Sequence, residues 1–189
     1  MMRTKPYPHD RFLAATLLKL VPKETTPNQI TVLRLMMTPA VIWFLFEERY
    51  ELAIPLFLLT ALTDMLDGSL ARTRNQVTKW GIMWDPIADK LLIGSVAVLL
   101  LTRHFPPTLT AIILGLEAAF LAGGWYRSIQ GETVAANWWG KFKMLTQTLG
   151  VTLFLLFLQT ELPGLATASY AAFGVACVLA VISLFRHGL

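Results

Sequence analysis

Four aspartates, Asp64, Asp67, Asp85 and Asp89, lie in the stretch TDMLDGSLARTRNQVTKWGIMWDPIADK, which begins at Thr63 and has long apolar runs on both sides. A carboxylate at the centre of a bilayer costs roughly 2.5–3.5 kcal/mol on insertion scales, so ionisable groups in apolar segments of membrane length call for a functional reason. Asp64 and Asp67 are three residues apart at the end of one run, and Asp85 and Asp89 are four apart at the start of the next. Both spacings put the two side chains on one helical face, so two antiparallel helices can aim all four carboxylates into one cleft. Alone, these anions would repel one another and some would protonate. Divalent cations relieve that repulsion, and a hard cation such as Mg²⁺ favours carboxylate oxygen. Gly68 and Ala71, on or near the Asp64/Asp67 face, leave room for a flat or bulky group against the backbone. Arg72 adds a planar fork suited to phosphate. The plainer alternative is a set of helix-end ion pairs with Arg72, Arg74, Lys79 and Lys90.

The rest of the chain has to position these groups. Of its 189 residues 55% are hydrophobic and 15% charged, with a mean hydropathy of +0.57. Soluble domains carry about 25% charged residues. Several runs approach the roughly 20 apolar residues that span a bilayer. The composition implies an all-α integral membrane protein, one domain over residues 1–189, with no soluble module large enough to fold alone. Six spans are expected, over residues 30–46, 52–72, 86–101 and 109–125, a fifth that residues 138–143 lead into and that ends near 158, and a sixth over 165–185, with Pro86 in a first helical turn. Thr25, Thr26, Pro27 and Asn28 form a helix-start cluster, in which Asn28 is either a cap or a ligand contact. Arg34 falls in the first turns of the first span, where it can snorkel or face a polar cleft. Residues 10–23 alternate apolar and basic side chains at helical spacing and are too short to span, which predicts an amphipathic helix lying in the interface.

Basic residues gather on one side: Arg3, Lys5, Arg11, Lys19 and Lys23, then Arg72, Arg74 and Lys79, then Arg127, Lys141, Lys143 and Arg186. The other side holds Arg49 and Arg103. The positive-inside rule then puts both termini and the aspartates on the cytoplasmic side. The net charge of +4 is spread over short loops with no basic stripe interleaved with exposed aromatics, so a nucleic-acid partner is not expected. Cys177 is the only cysteine and reads as a small core residue. His104 reads as a lone surface histidine.

The pattern Asp64-x2-Asp67-Gly68-x2-Ala71-Arg72-x8-Gly81-x3-Asp85-x3-Asp89 resembles the signature of the CDP-alcohol phosphotransferase family at all eight fixed positions. At average residue usage, eight chance matches have odds on the order of one in a billion per start site. The resemblance implies that fold, with a phosphatidyl-type group passing from a CDP-linked lipid to an alcohol and CMP released. It implies Asp64, Asp67, Asp85 and Asp89 as ligands of two Mg²⁺ or Mn²⁺ ions, with Asp89 also the catalytic base. It implies a CDP-lipid contact set of Asn28, Thr31, Gly68, Ala71, Arg72, Thr78 and Gly81. It further implies membrane lipid as the surroundings, a homodimer, and the inner (plasma) membrane of a bacterium with the site facing the cytoplasm.

For the acceptor, Asp85-Pro86-Ile87-Ala88-Asp89-Lys90 resembles a form shared by phosphatidylglycerophosphate synthases and cardiolipin synthases of this fold, and the stretch from Trp139 to Gln147 resembles the glycerol 3-phosphate branch, which makes phosphatidylglycerophosphate from CDP-diacylglycerol. Lys141, Lys143 and Arg127 are then the candidate acceptor contacts. Where that branch commonly has Arg-Glu, this chain has Leu116-Glu117, and Met144 replaces a usual Thr. Other acceptors (phosphatidylglycerol, inositol phosphate or serine) stay open. So does a different class, an ion or proton transporter, which predicts midplane carboxylates and broken helices in repeated halves.

Overall fold

The computed structural model describes residues 18, 21–22, 24–74, 76–129 and 138–186, and the described elements are helices. They run α1 (Pro27–Phe46), α2 (Tyr50–Thr73), α3 (Lys79–His104), α4 (Pro107–Ile129), α5 (Trp138–Thr160) and α6 (Pro163–Arg186). Four are long and apolar enough to cross a membrane: α1, α2, α5 and α6, the last over Pro163–Ser183. In α4 the apolar stretch is the shorter Pro107–Phe120. The amphipathic segment expected at residues 10–23 lies outside the described residues except for Leu18, Val21 and Pro22.

Packing gathers into two compact units, Met1–Val96 and Ala97–Leu189, divided inside α3. In the first unit α1 packs against α2. Its start is fixed by a capping box. Gln29 N–H donates to Thr26 Oγ1 (3.4 Å), and Thr26 N–H donates to Gln29 Oε1 (2.8 Å). Pro27 at the first helical position has no N–H to leave unsatisfied. The cap is therefore Thr26, not Asn28, whose side chain is freed for other work. Leu18 is buried with Ile30 and Leu70, and Val21 and Leu66 pack around them. Arg74, just beyond α2, donates to the carbonyls of Thr25 (3.0 Å), Pro22 (3.2 Å) and Val21 (3.4 Å), tying the segment before α1 to the end of α2.

The connection between the two aspartate-bearing helices is shorter than the gap between the expected spans 52–72 and 86–101. α2 runs to Thr73 and α3 begins at Lys79. Pro86 consequently falls inside α3 rather than in its first turn, so Gly81 and Asp85 share one helix with Asp89.

In the second unit α6 packs against α5 and α4. Phe105 anchors an aromatic cluster, with ring centroids 4.8 Å from Phe154, 4.7 Å from Tyr170 and 5.5 Å from Phe173. His104 is exposed, and its ring rests against Phe154 at 5.5 Å. Ser169 Oγ donates to the carbonyl of Gly150 (2.8 Å), and a Cβ on Gly150 would stand 3.2 Å from the Phe173 ring. Small residues of this kind let membrane helices approach closely. Gly150→Val should therefore destabilise the protein by about 1–3 kcal/mol through overpacking, read as a lowered thermal unfolding midpoint in detergent.

Candidate active site

The four aspartates come together in the first unit, as their spacing predicted, but around a group the sequence reading left undecided. Arg34 of α1 is fully buried. Its guanidinium donates to Asp67 Oδ2 and Asp89 Oδ1 in short contacts and lies 3.2 Å from Asp64 Oδ1. Its Nε donates to Thr63 Oγ1 (3.2 Å), and Thr63 in turn donates to the Thr60 carbonyl (2.5 Å). Thr31, one turn before Arg34, donates to Asp85 Oδ1 at 2.7 Å and has Asp67 Oδ2 at 3.4 Å. A hydroxyl carries one proton, so the shorter bond to Asp85 takes it. Thr31 and Arg34 are three apart on one face of α1, and between them they reach all four aspartates, which α2 and α3 supply.

Exposure is graded across the cluster. Side-chain accessibility is 2% at Asp67, 17% at Asp89 and 45% at Asp64. Asp67 and Arg34 form the floor, and Asp64 stands at the mouth. A ligand entering from solvent therefore meets Asp64 before Asp89.

A second set of residues adjoins Asp85. Thr78 Oγ1 donates to Asn28 Oδ1 (2.9 Å) and accepts from Gly81 N–H (3.0 Å). Gly81 is buried, and a Cβ there would meet Thr78 Oγ1 at 3.3 Å, Asn28 Oδ1 at 3.4 Å and Asp85 Oδ2 at 3.5 Å. Asn28, Thr31, Thr78 and Gly81, far apart in sequence, thus converge beside Asp85. Gly68 makes room for Arg72, whose guanidinium would lie 3.2 Å from a Cβ at that position. Ala71 is half-buried, and its carbonyl accepts from Gln76 N–H (2.9 Å) at the end of α2.

The donor set fits a hard divalent cation in kind. Four carboxylates supply oxygen ligands, and Arg34 offsets only one of their four charges. In the arrangement described, the carboxylates converge on the guanidinium. Among the described residues no three acidic, histidine or cysteine side chains are grouped closely enough to ligate an ion by themselves.

The acceptor candidates belong to the second unit. Lys143 is buried, with its Nζ 2.5 Å from Glu117 Oε2 and 4.3 Å from the Phe120 ring centroid. Glu117, standing where an Arg-Glu pair was expected, thus finds its cation on α5. Gln147 is buried one turn further along α5, and with Lys143 and Glu117 it lines a small cleft that also includes Cys177. Lys141 is exposed and lies over the Trp138 ring at 5.5 Å. The side chain of Arg127 lies outside the described residues. Lys143→Met strands Glu117 in a largely apolar setting. It should cost on the order of 3 kcal/mol, with most of that recovered in the double variant Lys143→Met/Glu117→Leu, both read by thermal unfolding.

Sequence reading missed Arg34 as a site residue and Thr63 altogether. The signal for Arg34 was available. It is the only charged residue of α1, three positions from Thr31. Thr63 carried no such signal, because buried threonines commonly bond back to their own helix.

Comparison with known proteins bears on this geometry. Residues 24–183 match the family model described as CDP-alcohol phosphatidyltransferase. The chain is 33% identical over 179 residues to the CDP-diacylglycerol–glycerol-3-phosphate 3-phosphatidyltransferase of Bacillus subtilis, covering 85% of this chain and 92% of that one. It is 32% identical over 135 residues to the protein of the same name from Rickettsia typhi, covering 69% and 75%. A probable phosphatidylglycerophosphate synthase of Mycobacterium tuberculosis is 34% identical over 167 residues, covering 82% and 76%.

Proposed function

Because the chain belongs to the CDP-alcohol phosphatidyltransferase family, we propose that it is a membrane enzyme that makes phosphatidylglycerophosphate and CMP from CDP-diacylglycerol and glycerol 3-phosphate. The observation that carries this reading is the convergence of all four signature aspartates from α2 and α3 beside the Asn28–Thr78–Gly81 cluster. The acceptor hydroxyl attacks the phosphorus that bears the diacylglycerol. A new oxygen–phosphorus bond forms there, the bond to the bridging pyrophosphate oxygen breaks, and CMP departs with that electron pair.

Asp89, partly exposed and held by Arg34, takes the proton of the attacking hydroxyl. Asn28, Thr31, Thr78 and Gly81 receive the cytidine end of the donor, with the bare Gly81 surface admitting it close to the backbone. Arg72, drawn over Gly68, holds a donor phosphate. Asp64, Asp67, Asp85 and Asp89 hold one or two Mg²⁺ or Mn²⁺ ions, which when bound neutralise pyrophosphate charge and stabilise the leaving group. The Lys143 ammonium, with Lys141 and Arg127, serves the phosphate of the acceptor, in competition with Glu117.

The same reading has six spans, both termini and the site on the cytoplasmic side of a bacterial inner membrane, and a homodimer. A transporter built on repeated halves would distribute its carboxylates between them, whereas all four aspartates belong to the first unit.

The test is CMP release by the purified protein from CDP-diacylglycerol with a panel of acceptors. Glycerol 3-phosphate should support turnover at least about tenfold faster than phosphatidylglycerol, inositol phosphate or serine, a difference of roughly 1.4 kcal/mol in transition-state binding. Faster turnover with another alcohol would keep the reaction class and reassign the acceptor. No CMP with any acceptor would remove the reading.

A further inference from the structure

Arg34 does something the transfer reaction does not require of it. Its guanidinium is fully buried, so it is out of reach of a substrate entering past the half-exposed Asp64. Its polar contacts among the described residues are internal: Asp67 and Thr63 on α2, Asp64 at 3.2 Å on the same helix, and Asp89 on α3. Its own carbonyl accepts from Thr38 Oγ1 (2.8 Å), one turn along α1.

A buried carboxylate such as Asp67 is tolerated only when paired and hydrogen-bonded, and removing one partner of such a pair is far more costly than replacing both. A planar guanidinium can serve three carboxylates at once, which a lysine ammonium does less well, and its charge is permanent.

We infer that Arg34 is a built-in counter-cation, a positioning residue that holds the aspartates of α2 and α3 together without help from a divalent ion and that competes with such ions for the carboxylate oxygens. This deepens the proposed function and rests on it for the identity of the ions. Two effects of opposite sign follow. Arg34 stabilises the fold when no divalent ion is present, and it weakens divalent binding, because its positive charge lies against the ligands. A merely structural arginine would give the first effect in all conditions and would not give the second.

The experiment is thermal unfolding of the full-length protein in detergent, followed by circular dichroism, in excess chelator and in millimolar Mn²⁺. Mn²⁺ should raise the unfolding temperature of the wild type by only a few degrees, through its binding to the folded state. Arg34→Gln should unfold about 10 °C or more below wild type in chelator, and Mn²⁺ should restore most of that loss. Its Mn²⁺ affinity should be at least about tenfold tighter than wild type. Arg34→Lys should lie between the two in chelator. The double variant Arg34→Gln/Asp67→Asn should recover much of the loss there, since it removes a buried anion along with its partner.

Equal destabilisation of Arg34→Gln with and without Mn²⁺, failure of that variant to fold even in Mn²⁺, or weakened Mn²⁺ binding would each overturn the inference. None of these measurements uses a CDP-lipid. A wild type that released no CMP would defeat the proposed function and leave the unfolding results to stand or fall separately.

Discussion

An Asp89→Asn protein should release CMP about a thousandfold more slowly than wild type while still binding CDP-diacylglycerol. General-base catalysis by a positioned carboxylate contributes roughly 10²–10⁴ in rate, and asparagine cannot accept the proton. The substitution suits the local geometry. The amide oxygen can still accept from Arg34, and Arg34 keeps its contacts to Asp64, Asp67 and Thr63. The scaffold should therefore survive, and the loss should fall on turnover rather than on donor affinity. Parallel assays of CMP release and of CDP-diacylglycerol binding separate the two. Near-wild-type turnover would take the base assignment away from Asp89.

The second large effect is loss of activity on removing divalent ions. Excess chelator should suppress turnover by at least about a thousandfold, and added Mg²⁺ or Mn²⁺ should restore it. The reason is electrostatic. A pyrophosphate must approach four carboxylates whose charge Arg34 only partly offsets, and like charges at close range strongly disfavour that approach. Chelation should leave the fold in place, since Arg34 continues to hold Asp67 and Asp89. Stability and activity should thus respond differently to the same treatment, and a circular dichroism melt run beside the CMP assay checks this.

Much of the site could be read from the chain because helix periodicity is a strong constraint. Spacings of three and four fixed the shared faces of Asp64/Asp67 and Asp85/Asp89 before any coordinates, and the structure brings those faces together. The details that failed were set by tertiary context. Residues 73–83 look like a polar connection, yet α3 starts at Lys79, since helix ends are poorly marked where Gly81 and Pro86 both appear. Asn28 was an equally good cap by type, but the reciprocal bond from Gln29 selects Thr26 and turns Asn28 toward Thr78.

Arg34 and the Glu117–Lys143 pair show a different limit. Each joins residues remote in sequence, and a charge inside an apolar segment announces that it needs a partner without naming which one. Composition favoured six spans, and among the described residues four helices meet the length and hydropathy needed to cross a membrane. In α3 the early charges Asp85 and Asp89 that make the site, with Lys90 beside them, also dilute the apolar signal.

The most direct measurement is a titration of Mn²⁺ into the purified protein, followed by electron paramagnetic resonance, with wild type and Asp85→Asn compared in the presence of CDP-diacylglycerol. Wild type should bind one or two ions per chain, tightened by the lipid, and Asp85→Asn should lose at least one of them or bind it at least about tenfold more weakly. Indistinguishable Mn²⁺ binding by the two proteins, unaffected by the lipid, would contradict a shared acidic pocket that grips a nucleotide-activated lipid through its ions.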